Sequence, residues 1–255
     1  MRDRKREMRF LEVEGWGDKN RIVHGFGTRG QAWEKSSKRD WWGEPVRVRE
    51  EVYPLISTRQ VHRDGVAIFE GEPQKPAELW LQEGDALVTR VPGYALGVFT
   101  ADCLPILLFD PVHGVVGIVH TGWRGTARAV CQKTLKKMAE TYDSMSENVL
   151  AAMGPCIGPC CYEVDGPVKE AFAGSGLPWE LISSPRGNGR WSLDLRQANT
   201  YLLERSGVRK ENIHRLELCT SCRNDFFYSY RAEGGTVGRQ LSFIALRKRN
   251  AESER

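Results

Sequence analysis

The sequence predicts an α+β fold in which short strands outnumber helices and many strands are adjacent along the chain. Four closely spaced segments between residues 85 and 120 are rich in Val, Ile and Leu and are bounded by Gly, Pro or Asp, as buried strands are. Two further segments have apolar residues at helical spacing. Because strands and helices do not alternate regularly, the pattern favours α+β over a strictly alternating βαβ fold.

The strands are predicted from runs of apolar residues with turn-forming residues at their ends. The central four are residues 85–90, 94–100, 104–109 and 115–120, and further strands are expected at 149–153, 213–218, 226–230 and 240–246. We expect surface excursions at residues 30–42, 71–76 and 183–190.

Two amphipathic helices are predicted. The first follows the fourth central strand, with Ala127, Val130, Thr134 and Met138 on one face and lysines on the other. The second begins at Asp194 and ends at Gly207, a residue type that commonly stops helices.

Length and composition are those of one globular domain. The chain has 255 residues, of which 40% are hydrophobic and 27% charged, so it is long enough to bury a core without disulfides. We expect a basic, partly ordered N-terminal extension (residues 1–20), a single catalytic domain (21–247) and a charged tail (248–255).

The net charge is small and predicts neither a nucleic-acid nor a membrane partner. The 37 basic residues exceed the 33 acidic ones by only four, and acidic residues are interleaved among the basic ones near the ends. We expect no secretory signal and no membrane span, because the apolar runs are short. Seven cysteines, an odd number, indicate reduced thiols and a cytoplasmic location. A monomer or simple homodimer suits this size.

Three residues that end strand-like runs predict a metal site. His62 and His120 each close an apolar run, and Cys103 lies in the hinge between two apolar strands. Side chains at strand ends are well placed to converge on a cleft. Two imidazoles and one thiolate can hold a catalytic zinc with an open fourth position that activates water. The alternative interpretation is that each is a hydrogen-bonded core residue, because no short motif links them.

The turn after His120 is a candidate anion site. A strand, a turn with glycines at positions 122 and 125, and a helix start place amide groups and the Arg124 guanidinium together, which suits phosphate or carboxylate. An ordinary βα turn with Arg124 in solvent is an equally good interpretation.

The remaining cysteines allow two interpretations. Cys219 and Cys222 form a C-x-x-C motif, and Cys156, Cys160 and Cys161 lie close together in another segment. These thiols could form a structural Cys₄ zinc site. A zinc ribbon would need two matched C-x-x-C motifs and only one exists, so we favour buried thiols.

Several blocks of sequence match the motifs of one known family. The blocks are residues 60–62 (QVH), 85–89 (DALVT), 101–105 (ADCLP), 120–125 (HTGWRG), 154–158 (GPCIG), 194–199 (DLRQAN), 219–220 (CT) and 226–231 (FFYSYR). They run in order through nearly the whole chain, which thereby resembles the YfiH or laccase-domain family, also called FAMIN-like. One departure follows residues 24–29 (HGFGTR), where GQAW replaces the family's Gly-Gly-Val-Ser-like stretch.

The resemblance implies a layered α/β/β/α domain, similar to the catalytic domain of cytotoxic necrotizing factor toxins. It implies metal ligation by His62, Cys103 and His120, usually of zinc, with copper possible. The implied activities are phosphorolysis of adenosine, inosine and methylthioadenosine, and hydrolytic deamination of adenosine. The substrates are then purine nucleosides and phosphate.

Roles follow for individual residues under this interpretation. The metal triad is catalytic, with Asp102 positioning an imidazole or accepting a proton. We expect Arg124, Arg29 and Gln60 to bind substrate or phosphate.

Three alternatives stay open. The family was formerly described as multicopper polyphenol oxidases, but five histidines cannot supply several coppers. A metal-free cysteine hydrolase or deamidase would use Cys103 as nucleophile and His120 as base. A non-enzymatic metal or nucleotide binder would show no turnover.

Overall fold

Two β-sheets lie face to face at the centre of the protein. The structure is a computed structural model that describes residues 10–30, 45–71, 82–235 and 238–248. Sheet A contains β1 (Phe10–Leu11), β2 (Ile22–Gly27), β5 (Leu55–Ile56), β8 (Ala95–Thr100) and β16 (Gln240–Leu246), in the order β1-β2-β16-β8-β5. Sheet B contains β6 (Val66–Phe69), β7 (Ala86–Thr89), β9 (Leu104–Asp110), β10 (Val115–Thr121), β11 (Leu150–Met153) and β15 (Ile213–Arg215), in the order β15-β11-β9-β10-β7-β6.

Helices cover the face of sheet B that points away from sheet A. They are α1 (Trp123–Ala127), α2 (Val130–Tyr142), α3 (Gly166–Ala173), α4 (Trp179–Ile182) and α5 (Leu195–Arg205), with single 3₁₀ turns at Ser146–Asn148 and Lys210–Asn212. A small sheet of β12 (Glu163–Val164), β14 (Arg190–Leu193) and β13 (Ser183–Gly187) flanks them. A hairpin of β3 (Val46–Val48) and β4 (Glu51–Tyr53) covers the outer face of sheet A.

The packing follows the alternation of side chains along the strands. Leu107 and Ile118 of sheet B meet Phe26 and Ile244 of sheet A in a fully apolar layer between the sheets. The residues next to them along the strands of sheet B, such as Ile106 and Val119, point the other way and pack against the apolar side of α2. The α+β class is therefore confirmed, and the described residues contain both central sheets and one helical layer.

Most predicted elements are present, and one strand is not. The four central strands, the strand at 240–246 and both helices occur within a few residues of their predicted bounds. The Asp194 side chain accepts hydrogen bonds from the backbone amides of Arg196 and Gln197, which caps α5. The predicted strand at 226–230 is wrong: the amides of Phe226 and Phe227 bond locally to the Arg223 carbonyl, so this segment forms turns.

The three predicted excursions have different outcomes. Residues 183–190 are largely exposed but form the β13–β14 hairpin rather than an irregular loop. Residues 31–42 and 72–76 of the other two lie outside the described residues. Ahead of β2, residues 10–20 pack on the domain and bury Trp16. Within the described ranges, no helix has the length and apolar character needed to cross a membrane.

His24 predicts how stability responds to acid. Its Nε2 accepts a hydrogen bond from the Val13 amide, and burial, aided by Lys19, lowers the pKa of His24 from 6.5 to about 4. As the pH falls, the imidazole of His24 is protonated in the unfolded chain before it is protonated in the folded protein. The free energy of unfolding therefore decreases between pH 6.5 and 4. The loss is about 3 kcal/mol. Chemical denaturation at several pH values should give a flatter profile for His24→Gln than for the wild type; parallel profiles would contradict the assignment.

Candidate metal centre

The β9–β10 hairpin brings Cys103 next to the strand that carries His120. In its antiparallel register, His120 pairs with Pro105 and Thr121 pairs with Leu104. Continuing this register by one residue places Gly122 opposite Cys103. A Cβ atom on Gly122 would lie 2.9 Å from the Cys103 Sγ, so only glycine leaves room for the thiol.

His62 reaches the same place from a turn after β5. Its φ of 57° lies in the left-handed region, which is costly for a residue with a side chain. The turn is held by the carboxylate of Asp85, which accepts hydrogen bonds from the amides of Val61 (3.3 Å), His62 (2.9 Å) and Arg63 (2.7 Å).

Asp85 also fixes the orientation of His120. Its fully buried carboxylate lies 2.8 Å from the His120 Nδ1, and its own backbone carbonyl accepts the His120 amide. Burial alone would raise the pKa of Asp85, but the bonds from His120 and from the Arg63 and His62 amides outweigh it and keep the group ionised. A carboxylate at Nδ1 leaves Nε2 of His120 as the ligand atom, as is usual for metal-binding histidines.

The three predicted ligands converge. The ligand atoms of His62, Cys103 and His120 all lie within 4.8 Å of one another, and the two imidazole rings are 4.8 Å apart at 87°. Bonds of about 2.0–2.3 Å place two ligands of one zinc ion less than about 4.6 Å apart. Small side-chain rotations are therefore enough for all three to bind one ion. The donor set fits zinc, or a single copper, with at least one coordination position left open.

Electrostatics favours a thiolate at Cys103. Burial opposes ionisation, yet the neighbouring His120 and His62 outweigh it and hold the pKa of Cys103 well below its usual range. Burial likewise disfavours the charged imidazole, but Cys103 and Asp85 raise the pKa of His120. In the metal-free protein the two therefore form a thiolate–imidazolium pair, and the thiolate is the form that binds metal.

Asp102, predicted to be catalytic, braces the turn that carries Cys103. Its φ of 87° is strained, and its carboxylate accepts hydrogen bonds from the Thr220 hydroxyl (2.6 Å) and the Arg231 amide (2.7 Å). Its carbonyl accepts the Ile157 amide. These contacts show a residue that positions Cys103; its direct role in catalysis stays a prediction.

The three predicted substrate-binding residues differ in their surroundings. Arg124 is exposed and its guanidinium lies 4.2 Å from the Trp123 ring centre; no carboxylate in the described residues pairs with it. Arg29 pairs with Glu233 and donates to the Phe227 carbonyl.

Gln60, the third of them, uses both ends of its amide on the backbone of Phe99. This contact fastens the segment before His62 to β8. Binding of substrate by Gln60 and Arg29 stays a prediction.

Sequence analysis did not predict the roles that Asp85, Gly122, Tyr162 and Thr220 have in the site. Asp85 and Gly122 belong to the family blocks at 85–89 and 120–125, but the sequence of these blocks does not indicate which metal-site side chains the two residues contact. Tyr162 is largely buried beside the site: burial first, and then the charges of Cys103 and Asp102, raise its pKa, so its hydroxyl stays protonated.

The other histidines lie away from this centre. His24 is in β2, His214 is in the edge strand β15, and His113 binds Asp110 at the far end of the β9–β10 hairpin. The expectation of buried thiols holds for Cys156 but is wrong for Cys160, Cys161, Cys219 and Cys222. The sulfur atoms of Cys160, Cys161, Cys219 and Cys222 lie within 4.8 Å of one another, with Cys160 and Cys222 exposed.

Comparison with known proteins identifies the family of this chain. The family described as "Multi-copper polyphenol oxidoreductase laccase" matches residues 38–247. A purine nucleoside phosphorylase of Bacteroides thetaiotaomicron is 36% identical over 205 residues, which cover 80% of this chain and 73% of that protein. The adenosine deaminase RL5, from an unknown prokaryotic organism, is 36% identical over 196 residues, covering 74% of each chain.

A solved structure has the same fold. The Bacillus licheniformis hypothetical protein YfiH superimposes with a TM-score of 0.77 at 27% identity, covering 89% of this chain and 93% of that one.

Asp85 should control metal affinity. In Asp85→Asn, the amide is a weaker acceptor for both His120 and the 61–63 turn, so we expect zinc affinity to fall about 10–100-fold. Competition with a chromophoric chelator measures it. The matched control is Asp110→Asn, which alters another fully buried carboxylate paired with a histidine, at the opposite end of β9. Equal zinc affinities in the two variants would refute a special role for Asp85.

Proposed function

Because this chain belongs to the multi-copper polyphenol oxidoreductase laccase family, whose relatives include proteins named purine nucleoside phosphorylase and adenosine deaminase, we propose that it is a purine nucleoside enzyme. It phosphorolyses adenosine, inosine and methylthioadenosine and deaminates adenosine hydrolytically, at a zinc site made of His62, Cys103 and His120. The convergence of these three ligand atoms, with Asp85 fixing two of them, carries the proposal. Seven unpaired cysteines suit a cytoplasmic enzyme.

His62, Cys103 and His120 would hold the zinc ion, which would supply Lewis-acid chemistry to a substrate or water bound there. The protein's own residues supply the orientation. Asp85 holds the His120 ring and the His62 turn, while Asp102 holds the Cys103 turn, so the ligand set is formed before substrate arrives. Preorganised ligands avoid reorganisation during the reaction.

Phosphorolysis requires a cation for phosphate and a route for the departing purine. A phosphate oxygen bonds to the ribose C1′, the glycosidic bond breaks, and the purine leaves with the bonding electrons and gains a proton. Arg124, two residues beyond Gly122 and without a carboxylate partner in the described part of the chain, neutralises phosphate. The Tyr162 hydroxyl, which burial and then the charge of Cys103 keep protonated by raising its pKa, donates a hydrogen bond to the substrate.

A metal-free cysteine hydrolase is the second candidate, since the Cys103–His120 pair already favours a thiolate nucleophile. Multicopper oxidase chemistry is the less suitable reaction, because five histidines are too few for several copper centres and the centre described here uses two of them.

Product analysis separates these candidates. Purified protein is incubated with adenosine, with and without phosphate, before and after removal of metal by a chelator. We expect adenine only when phosphate is present, inosine in either case, and loss of both products on chelation with recovery on adding zinc. Turnover that survives chelation but stops on alkylation would favour the cysteine hydrolase. No product from zinc-loaded protein would reject the nucleoside assignment.

Arg124→Gln should weaken phosphate binding selectively. A hydrogen bond to a charged group contributes about 1.5–3 kcal/mol, so the KM for phosphate should rise about tenfold or more. Inosine formation, which uses no phosphate, should change little. Arg128→Gln, another exposed arginine one turn further on, is the control and should leave both reactions unchanged. An unchanged phosphate KM in Arg124→Gln would remove this residue from the site.

A further inference from the structure

We propose that Cys160, Cys161, Cys219 and Cys222 form a second metal site, a structural Cys₄ site suited to Zn²⁺, separate from the His62–Cys103–His120 centre. Four sulfur atoms within 4.8 Å of one another fit a single ion. In a tetrahedral site with Zn–S bonds of about 2.3 Å, the sulfurs lie about 3.8 Å apart. An all-sulfur ligand set selects zinc or iron–sulfur centres over harder cations.

The spacing of the sulfurs favours a shared ion over a disulfide. The Cys222 Sγ lies 3.5 Å from that of Cys160 and 3.4 Å from that of Cys161. A disulfide would choose one partner, whereas Cys222 is nearly equidistant from two. Each thiol that binds the ion releases its proton to solvent, as metal coordination by cysteine requires.

Backbone amides support the sulfur of Cys219. The Gly158 amide donates to this sulfur at 3.2 Å and the Cys222 amide at 3.5 Å. Amide bonds to a sulfur stabilise its thiolate form, because hydrogen bonding to the charged state favours that state. The backbones of Cys156 and Cys219 form an isolated β-bridge that brings the two cysteine-bearing segments side by side. This explains how the C-x-x-C motif at 219–222 meets the adjacent cysteines 160 and 161.

Two guanidinium groups lie beside the adjacent pair. Arg231 donates to the Cys161 carbonyl at 3.2 Å, and Arg186 donates to the Pro159 carbonyl at 3.2 Å. A zinc ion with four thiolates carries a net charge of −2, and two nearby cations reduce the cost of that charge.

The proposed Cys₄ site has a structural role, because the two segments that supply its cysteines are also connected to Asp102. Thr220, between Cys219 and Cys222, donates to one carboxylate oxygen of Asp102, and the amide of Ile157, immediately before residues 158–161, donates to the Asp102 backbone carbonyl. A metal ion that fastens residues 158–161 to 219–222 therefore secures the turn that presents Cys103.

Metal counting on the full-length chain tests the proposal. Protein loaded with zinc and dialysed should hold two zinc ions per chain by elemental analysis. The double substitution Cys160→Ser with Cys222→Ser should retain one, and His120→Ala should also retain one. Cys131→Ala, which removes a buried thiol outside both clusters, is the control and should retain two. One zinc in the wild type that persists in the double variant would overturn the proposal.

A second measurement uses the wild type alone, in case the variants fail to fold. Zinc should protect all four cysteines from alkylation, and chelation should expose them, as peptide mapping by mass spectrometry would record. Binding of Co²⁺ should add the intense thiolate-to-metal absorption of a four-sulfur site, which His120→Ala retains and the double variant lacks. Four cysteines that react equally with and without zinc, or that are found as disulfides, would overturn the proposal. None of these readouts depends on nucleoside turnover.

Discussion

The carboxylate of Asp85 is the interaction on which the candidate centre depends. It is fully buried, and it accepts three backbone amides from the 61–63 turn and the ring nitrogen of His120. A buried carboxylate is costly unless it is fully hydrogen-bonded, and here the same bonds that lower this cost position two candidate metal ligands from different parts of the chain. The hydrogen bonds to Asp85 therefore stabilise the fold and position the site at the same time.

The third ligand is positioned by different means. The position of Cys103 depends on the register of the β9–β10 hairpin, which places it opposite Gly122. It also depends on Asp102, whose strained φ of 87° turns the chain between β8 and β9. A non-glycine residue in such a conformation costs on the order of 1–3 kcal/mol. The bonds from Thr220 and Arg231 hold Asp102 there. Strain at 62 and at 102 is thus balanced by buried polar contacts adjacent to the ligands.

Sequence analysis found the elements with strong local signals and missed what depends on long-range contacts. The strand at 240–246 and the Asp194 helix cap are local patterns, and both were predicted closely. The ligand set came from strand ends and from family resemblance, whereas Asp85 was only the first residue of a predicted strand. The thiol cluster was considered but not favoured, because its four cysteines come from segments about sixty residues apart that a single isolated β-bridge between backbones brings together. The aromatic run at 226–230 has strand-like composition, but its amides bond within a turn.

The bonds from the 61–63 turn to Asp85 come from main-chain amides, which every residue except proline possesses. Substitutions at Val61 and Arg63 can therefore change the shape and charge of the surface beside the candidate metal centre without moving His62. The strict requirement falls on His62, on the acidic residue beneath the turn, and on glycine at 122, where any side chain would meet the thiol.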